Sequence, residues 1–542
     1  MADCAIIEDP AEPETVATEA EAATPPEAKR SFQFPSPVTT LAIVTVVVWL
    51  AALVIPAGQY RRGPDGSPIP GTYHPVPSPL SFGGKLRQLI LAPVNGTYGL
   101  KGASGFVDTE IVGHLFGQIG IIFFIMAIGA FISVSFETKS LDTAVGALAN
   151  RLRSKGWLLI AAVMVLFSVL GSTMGFSVET LGFYALFLPL MAALGYDRLV
   201  TASMIILGAL VGVMGATVNP FSIGVAAGES GVSIGDGLGL RLLLWVLLTG
   251  LAVAWVLRYA AKVCADPHAS LVGWKDPDAE DISTSDRMVE ELEAQPADAD
   301  HRLTSTQKWV LVITVLAFAL MIFSVIPWSS IFGAHAGPAE DLYEHTTSTK
   351  AYWFELNWWF PQLSMLFILA SVLVGLVARM KEREIVRLIA AGASDMLGPA
   401  LVVLLAGGVS VIMTNTQTLD TVLHSMEQFV SGASAGVFAG FTVVVNIPLA
   451  FVIPSSSGHA ALAMPLLAPL ADFAGVSRST TITAWIMAHG LTLMFAPTSV
   501  VLVGGLAIAK VGYDKYLRFV WPLLLALFVV SCGVVAIAAA TG

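Results

Sequence analysis

Four clusters of polar and helix-breaking residues interrupt long apolar stretches of the sequence. Residues 171–180 (GSTMGFSVET) and 454–459 (PSSSGH) predict the tips of two hairpins, and residues 215–222 (GATVNPFS) and 496–499 (APTS) predict breaks in two helices. Gly and Pro open the backbone, so that carbonyl oxygens become available to ligate a hard cation such as sodium. Ser, Thr and Asn add neutral oxygen ligands without the insertion cost of a charge, roughly 2.5–3.5 kcal/mol.

A half-helix that begins at such a break points its positive end, about half an elementary charge, toward an anion. One break can thus hold a cation on carbonyl oxygens and a carboxylate on amide groups. Each break taken alone could equally be a kink or a site of tight helix packing. Because the four breaks occupy corresponding positions in two halves of the chain, we favour a binding site.

Two titratable residues, Glu179 and His459, occupy equivalent positions at the hairpin tips. Either could contact a solute or carry protons, since histidine titrates near neutral pH, and either could instead only cap a hairpin arm. His489, just before the last break, is a further candidate. Buried Lys and Arg are expected to be scarce near the breaks, so helix ends, bound cations and hydroxyl groups would have to neutralise an anionic solute.

An internal repeat relates the breaks to one another. Residues 129–143 align with 407–421, and residues 177–201 align with 457–481, each pair at a constant offset. A shared Leu-Asp-Thr triplet, a Pro-Leu pair and an Arg argue against chance. Five membrane crossings separate the two triplets, and because five is odd, the copies face opposite sides. Secondary transporters use such inverted repeats, with the solute near the membrane midplane at broken helices.

The composition is that of a membrane protein. The 542 residues are 55% hydrophobic and 12% charged, with a mean hydropathy of +0.76, whereas a soluble protein carries about 25% charged residues. Apolar runs of about 20 residues can each cross a hydrocarbon core of roughly 30 Å. Two interrupted apolar regions cover residues 156–232 and 433–512. The clear spans lie at about 38–57, 114–136, 240–260, 308–327, 361–380, 397–414 and 516–540.

We therefore predict an all-α polytopic membrane protein with inverted structural repeats, two re-entrant helical hairpins and two broken helices. Its predicted parts are a disordered cytoplasmic segment (1–36), a first transmembrane repeat (37–262), an acidic cytoplasmic linker (263–307) and a second transmembrane repeat with one extra helix (308–542). Lys and Arg near the span ends place the N-terminus in the cytoplasm. The stretch 58–112 is then an external loop.

These features resemble the anaerobic C4-dicarboxylate carrier-like (YfcC-like) family of the ion transporter superfamily. The resemblance extends from Phe34 onward and rests on residues 55–58 (IPAG), 71–74 (GTYH), 216–222 and 496–499, together with both hairpin tips. It implies the elevator-type ion transporter fold, with an often dimeric scaffold domain and a mobile transport domain that carries the hairpins and broken helices. Related members are assigned dicarboxylates, amino acids or aminobenzoyl-glutamate.

By motif position, the resemblance implies two sodium sites with the solute between the hairpin tips. One cation would lie near Ser172, Thr173, Thr217 and Asn219, and the other near Ser455, Ser456, Ser457, Thr498 and Ser499. The predicted solute-binding residues are Thr173, Glu179, Asn219, Ser456, Ser457, His459 and Thr498. The sequence departs from the family at the second tip, where relatives usually carry Gln in place of His459. A proton is therefore an alternative coupling ion.

The predicted function is secondary active transport of a small carboxylate-type solute (C4-dicarboxylate, amino acid or related) by a homodimer in the cell membrane. An exporter or exchanger of aminobenzoyl-glutamate or a peptide-like solute is the first alternative. An ion channel is an alternative of a different class. It would need a continuous polar lining, whereas the polar residues here cluster at the paired breaks. An intramembrane hydrolase would need a serine–histidine pair at about 2.6–3.2 Å, which adjacent residues at one tip rarely form. We expect no enzymatic activity, no cofactor besides the sodium ion or proton, and no nucleic-acid partner.

Overall fold

The computed structural model describes residues 37–541 except for 64–67, 103, 113, 116, 153, 274–302, 327, 333–337, 341–345, 349–351 and 431–432. The predicted disordered segment 1–36 and most of the predicted acidic linker lie outside these described residues.

Helices make up most of the described chain. Those of the first half are α1 (Pro37–Val54), α2 (Phe82–Tyr98), α3 (Ile119–Glu137), α4 (Ser140–Leu152), α5 (Gly156–Met174), α6 (Tyr184–Ala193), α7 (Arg198–Met214), α8 (Val225–Ser230) and α9 (Leu238–Ala265). Those of the second half are α10 (Ser305–Val325), α11 (Trp328–Ile331), α12 (Phe360–Val377), α13 (Glu382–Asp395), α14 (Leu397–Asn415), α15 (Leu419–Val430), α16 (Ala435–Val452), α17 (Ser456–Phe473), α18 (Arg478–Leu493), α19 (Val500–Ile508) and α20 (Tyr513–Thr541).

Shorter elements connect these helices. A 3₁₀ turn, Val178–Phe183, precedes α6, a π-helical turn, Pro220–Gly224, leads into α8, and a second 3₁₀ turn, Pro267–Ala269, follows α9. The strands pair antiparallel in the orders β1–β2, β4–β3–β5 and β6–β7. They are β1 (Gly58–Gln59), β2 (His74–Pro75), β3 (Leu100–Lys101), β4 (Val107–Asp108), β5 (His114–Leu115), β6 (Pro338–Glu340) and β7 (Thr346–Ser348).

Nine of the described helices are long and apolar enough to cross a membrane, judged by length and composition. They are α1, α3, α5, α9, α10, α12, α14, α16 and α20. Each of the seven clear spans predicted from sequence corresponds to one of them. In the structure, the first interrupted region forms the helix pair α5–α6 followed by the broken helix α7–α8. The second forms the pair α16–α17 followed by the broken helix α18–α19. The prediction of a polytopic helical protein with two hairpins and two broken helices is confirmed.

Helix α2 differs from the sequence prediction, which assigned residues 58–112 to a loop. Its glycines and Pro93 dilute the apolar pattern, so no span is recognisable. In the structure α2 packs along α14. Gly96 lies against the backbone of Gly407, where a Cβ atom would overlap that chain. The glycines that allow this close contact between α2 and α14 are therefore the same residues that weaken the apolar pattern of α2 in the sequence.

Equivalent helices of the two halves pack against equivalent partners. Helix α3 packs against α12 and α13 of the second half, and its counterpart α14 packs against α1 and α2 of the first. Within the halves, α5 contacts α7 and α9 just as α16 contacts α18 and α20. The counterparts α7 and α18 pack against each other, as do α9 and α20. This exchange is the two-fold relation expected for the predicted inverted repeats.

The duplication extends to local geometry. Lys139 and Gln417, which the sequence alignment pairs, both adopt a left-handed backbone, with φ of 52° and 55°. This conformation costs a non-glycine residue roughly 1–2 kcal/mol, so its presence in both copies is informative. In each copy two hydroxyl side chains flank this residue and hydrogen-bond to each other, Thr138 with Ser140 (2.6 Å) and Thr416 with Thr418 (2.9 Å).

The loop after α1 docks onto α15 through charged and polar contacts. Asp420 accepts a hydrogen bond from the Tyr60 amide (2.9 Å) and two from the Arg62 guanidinium (2.7 and 2.9 Å). Glu427, about two turns further along the same face of α15, accepts from the Tyr60 hydroxyl (2.6 Å) and the Gly71 amide (2.9 Å). The family-like residues at 55–58 and 71–74 thus belong to a structural contact between the two halves.

Glu427 is expected to make the stability of this docked loop depend on pH. Burial raises the pKa of the Glu427 carboxyl group, but hydrogen bonds from Tyr60 and Gly71 and the neighbouring His424 outweigh burial and lower it. A carboxyl group with a lowered folded-state pKa stabilises the fold fully above its unfolded-state pKa, about 4.3, and loses this effect as the pH falls through the folded value. Glu427→Gln should therefore lower the Tm at pH 7 by roughly 1–3 °C.

The matching measurement is the Tm of purified wild type and variant between pH 7 and pH 3.5. The difference between the two should shrink as the pH falls below about 4, because the wild-type carboxylate is then protonated. Glu382→Gln, at the exposed start of α13, is the control for loss of one carboxylate. A difference that stays constant over this range would contradict a lowered pKa.

Candidate solute-binding site

The first hairpin tip and the first broken helix are joined by hydrogen bonds. The Ser172 hydroxyl donates to the Gly215 carbonyl (2.9 Å), and the Thr217 amide donates to both the hydroxyl (3.1 Å) and the carbonyl (3.0 Å) of Ser172. The Asn219 side-chain amide donates to the Gly171 carbonyl at 3.3 Å. Ser172, Thr217 and Asn219 therefore lie together, as their predicted grouping requires.

Gly175 allows this close approach. It ends α5 in the left-handed conformation (φ 75°), which favours glycine. A Cβ atom there would lie about 3.0 Å from the Phe221 ring and 3.1 Å from the Asn219 amide group. A side chain at this position would crowd Phe221 and Asn219 and strain the backbone, so glycine suits the turn of the first tip beside the break.

The second hairpin tip reaches the same break. The Ser456 hydroxyl donates to the Phe221 carbonyl at 3.4 Å, and the Phe221 amide donates to the Asn219 side-chain oxygen at 2.9 Å. Asn219 therefore binds the backbone amide of Phe221 in the π-helical turn, and Ser456 binds the backbone carbonyl of the same residue. We call Ser172, Thr217, Asn219, Phe221 and Ser456 the central polar contact.

The remaining serine and threonine residues of the second half mainly satisfy backbone groups around the tip. The Ser455 hydroxyl accepts from the Gly458 amide (3.4 Å) at the start of α17 and contacts the Ser457 hydroxyl (3.2 Å). The Thr498 hydroxyl donates to the Phe451 carbonyl (3.0 Å), and Ser499 caps α19. Thr498 thereby ties the second broken helix to the second hairpin.

Two predicted site residues point elsewhere. The Thr173 hydroxyl donates to the Val169 carbonyl of its own helix at 2.8 Å. Glu179 is exposed, and its carboxylate accepts from the Ser177 amide at 3.0 Å. The structure therefore shows Glu179 in the tip-capping arrangement that was its alternative interpretation.

His459 begins a buried chain of hydrogen bonds behind the second tip. Its Nε2 lies 2.9 Å from the Asn446 side-chain oxygen, and its Nδ1 lies 3.1 Å from Nδ1 of His489. Because the Asn446 amide group donates to the Thr442 carbonyl (2.7 Å), its oxygen must accept, so His459 carries its proton on Nε2. His489 then donates from Nδ1, which leaves its Nε2 with an unused lone pair; within the described chain this atom has no hydrogen-bond partner.

This arrangement also bears on the hydrolase alternative. Both ring nitrogens of His459 are engaged by Asn446 and His489 rather than by a serine of the tip. The tip serines in turn bond to backbone groups or to each other. The described contacts therefore include no serine–histidine pair of the catalytic kind.

Arg241 is the main residue of the site that sequence reasoning missed. The sequence predicted few buried cations near the breaks, yet Arg241 is only 1% exposed and bonds to the first broken helix and the loop after it. Its guanidinium group donates to the carbonyls of Thr217 (2.9 Å), Asp236 (2.7 Å) and Ile234 (2.6 Å). It lies in the predicted span 240–260, and an Arg inside an apolar span was the available signal.

A cavity of about 1240 Å³ opens on the other side of α8 and α17. Its walls come mainly from α1, α8, α14, α15 and α17 and from loop residues that follow α1 and α2. Its charged lining residues are Arg62, Lys101, Glu229, Asp420 and Arg478. None of the predicted site residues lines it. Helix α17 therefore contributes its tip to the central polar contact and its middle to the cavity wall.

The sequence profile of the C4-dicarboxylate anaerobic carrier (DcuC) family matches residues 34–540. An uncharacterized protein of Haemophilus influenzae is 28% identical over 526 residues, which cover 92% of this chain and 95% of the relative. YfcC of Escherichia coli, provisionally named a basic amino acid antiporter, is 29% identical over 428 residues, 77% of each chain.

Two solved structures share the fold at 14% sequence identity. The YdaH transporter of Alcanivorax borkumensis, described as having an unusual topology, aligns with a TM-score of 0.62 over 93% of this chain and 98% of its own. MtrF of Neisseria gonorrhoeae, described with a class of antimetabolite efflux pumps, aligns with a TM-score of 0.62 over 94% of this chain and 96% of its own.

Proposed function

The chain belongs to the family of C4-dicarboxylate anaerobic carriers, and we propose that it moves a small carboxylate-bearing solute by ion-coupled secondary transport with an elevator motion. The resemblance identified from the motifs is thereby confirmed. Family and fold are those of transporters rather than enzymes. We also propose the predicted cell-membrane location, the cytoplasmic N-terminus and a homodimer.

The central polar contact carries this proposal. Ser456 of the second repeat and Asn219 of the first both bind Phe221, at 3.4 and 2.9 Å, where the first broken helix leaves α-helical geometry. The second hairpin tip therefore meets the opened backbone of the first broken helix at one place. A solute held here would contact both hairpins, so a joint movement of the hairpins would carry it across the membrane.

Two features favour protons over sodium as the coupling ion. The oxygens of the first candidate cation site already bond to one another, and the Arg241 guanidinium lies 2.9 Å from the Thr217 carbonyl. A sodium ion would displace these bonds beside a fixed positive charge. In contrast, Nε2 of His489 has an unused lone pair, and a proton there would leave the hydrogen bonds through His459 and Asn446 unchanged, provided that water or solute reaches this buried ring to compensate the charge.

The 29% identity with YfcC favours amino acids among the candidate solutes and exchange as a transport mode. A C4-dicarboxylate is the choice favoured by the family description. Aminobenzoyl-glutamate and peptide-like solutes carry the same carboxylate group and stay within the proposed range.

Purified full-length protein in liposomes provides the test, with labelled succinate, lysine, arginine, glutamate and aminobenzoyl-glutamate. We expect uptake of at least one solute, accumulation driven by a pH gradient, and no requirement for sodium. His489→Phe should abolish the pH-driven accumulation because it removes the free lone pair. His268→Ala, at an exposed position after α9, is the matched control. Uptake that requires sodium and ignores pH would contradict proton coupling, and no uptake of any solute would contradict the function.

A further inference from the structure

The cavity beside α17 leads from the surface of the protein toward the central polar contact. Its exposed rim includes Arg62 and Ser104, from the loops after α1 and α2. Along α17 the lining extends from Pro469 to Ala461, a stretch of about 12 Å of helix. Ala461 is about 7–8 Å along the same helix from Ser456. The cavity therefore ends within about two helical turns of the second hairpin tip.

Two groups of elements contribute the walls of this cavity. Helices α8 and α17 belong to the first broken helix and the second hairpin, whereas α1, α14, α15 and the loops after α1 and α2 belong to neither. An elevator motion would move the hairpins and broken helices relative to the other helices, so the width of the cavity would change during transport. Its volume of about 1240 Å³ leaves room for a small solute and water, since small-molecule sites usually have about 300–1,000 Å³.

Positive charge predominates at the mouth of the cavity. Two cations, Arg62 and Lys101, line it together with one carboxylate, Asp420. Both Asp420 oxygens accept from the Arg62 guanidinium group (2.7 and 2.9 Å), so this pair is neutral as a unit and Lys101 adds a positive charge. Desolvation and the neighbouring Arg62 lower the pKa of the Lys101 ammonium group, and Asp420 raises it by less. An anion at the mouth would relieve this imbalance.

The other charged lining residues, Glu229 and Arg478, lie on the wall formed by α8 and the start of α18. Arg478 is paired with Asp472 through two bonds (3.0 and 2.7 Å). It also donates to the carbonyl of Ser230 (2.9 Å), the residue that follows Glu229. These groups compensate one another locally, so they leave the excess of positive charge at the mouth in place.

Building on the proposed transport function, we propose that this cavity is the entrance by which the solute reaches the central polar contact from the side of the membrane on which α1 ends. Lys101 and Arg62 form an anion-attracting site at its mouth, and the ligand is a small carboxylate anion. Long-range attraction raises the local concentration of the anion and speeds its entry. The solute then passes along α17 to the second hairpin tip, so the cationic pair guides it without holding it during transport.

Site-directed thiol labelling tests the entrance without any solute. Leu462→Cys, half-buried in the cavity lining, is made in a variant whose three native cysteines are replaced by alanine. We expect membrane-impermeant methanethiosulfonates to label it in intact cells or in inverted membrane vesicles, but not in both. Leu467→Cys is the control because it is half-buried nearer the end of the same helix but outside the lining. It should react about tenfold more slowly or less. Thr414→Cys in α14 is a second lining position.

The charge of the reagent tests the anion-attracting site. Rates with free cysteine in solution give the intrinsic reactivity of each reagent. Relative to these rates, an anionic reagent should label Leu462→Cys faster than a cationic one. Lys101→Gln should reduce this preference about twofold or more in about 20 mM salt, and the difference should vanish in about 500 mM salt because the charges are then screened. Arg61→Gln, exposed but outside the lining, is the charge-matched control and should leave the preference unchanged.

Labelling of Leu462→Cys should also block uptake of whichever solute of the panel the wild type moves. Full uptake after complete labelling overturns the entrance, and so does equal labelling of Leu462→Cys and Leu467→Cys. A charge preference that is unchanged in Lys101→Gln overturns the anion-attracting site. Failure of the wild type to move any solute of the panel rejects the proposed function itself. The labelling pattern, which needs no solute, tells these failures apart, and size-exclusion profiles in detergent establish that each variant is folded.

Discussion

Replacing Asn219 by alanine should reduce solute uptake to about one-tenth of the wild-type rate or less. Asn219 accepts from the Phe221 amide (2.9 Å) and donates to the Gly171 carbonyl (3.3 Å), so it links the first broken helix to the first hairpin tip. Alanine removes both bonds and leaves buried backbone groups unpaired. A loss of about 1.4 kcal/mol at the site is enough for a tenfold effect.

Ser456→Ala should lower uptake in the same direction but by less, about threefold to tenfold. The Ser456 hydroxyl makes a single, longer contact with the Phe221 carbonyl (3.4 Å), and its loss removes one hydrogen bond from the second tip. A net hydrogen bond is worth about 0.5–1.5 kcal/mol. The double variant should fall short of the product of the single effects because both residues act on the same peptide.

Initial uptake rates in liposomes, normalised to the amount of inserted protein, measure these effects. Asn150→Ala, at an exposed position in α4, is the control for loss of an asparagine. Both site variants should still insert and elute as folded protein. Wild-type rates in both would show that the central polar contact is not the transport site.

Replacing Arg241 by methionine should destabilise the whole transporter strongly. The buried guanidinium group satisfies three backbone carbonyls at 2.6–2.9 Å around the first broken helix. Methionine fills a similar volume but donates no hydrogen bond, so three buried acceptors would be left without a partner. At about 1–3 kcal/mol for each such group, the total is comparable with the stability of a typical domain, about 5–15 kcal/mol.

Arg241→Lys should be intermediate. Lysine keeps the charge, but its compact ammonium group lacks the planar fork that reaches three carbonyls at once. The measurement is the yield of monodisperse protein and its Tm in detergent, with Arg258→Met, exposed on the same helix α9, as the control. A wild-type Tm in Arg241→Met would mean that these carbonyls find other donors and that the guanidinium group is not structural.

The helices and their breaks were predictable because local composition decides them in a membrane. An apolar run of about 20 residues has few alternatives to a helix in lipid, and Gly, Pro, Ser and Asn within such a run mark where the helix must open. The grouping of Ser172, Thr217 and Asn219 followed from their positions at the first tip and first break. Helix α2 escaped prediction because the glycines that it needs for packing removed its apolar signature.

The direction of individual side chains was not predictable from the same patterns. Ser172 and Thr173 are neighbours on α5, but adjacent residues point about 100° apart around a helix. Only Ser172 faces the break, and Thr173 turns back to its own backbone. Glu179 and His459 share an alignment position, yet one is exposed and the other is buried beside His489. An equivalent position in a repeat fixes the backbone but not the surroundings.

The sequence alone determined that this protein lies in a membrane, is built from two related halves and opens its backbone at four places. These properties depend on hydrophobicity, on helix-breaking residues and on internal similarity, all of which are local or can be read by alignment. The tertiary structure alone decided that Arg241 supports the first break and that Arg62 and Lys101 meet at the mouth of one cavity. Such contacts join residues far apart in the chain, and they depend on how helices are rotated and packed against one another.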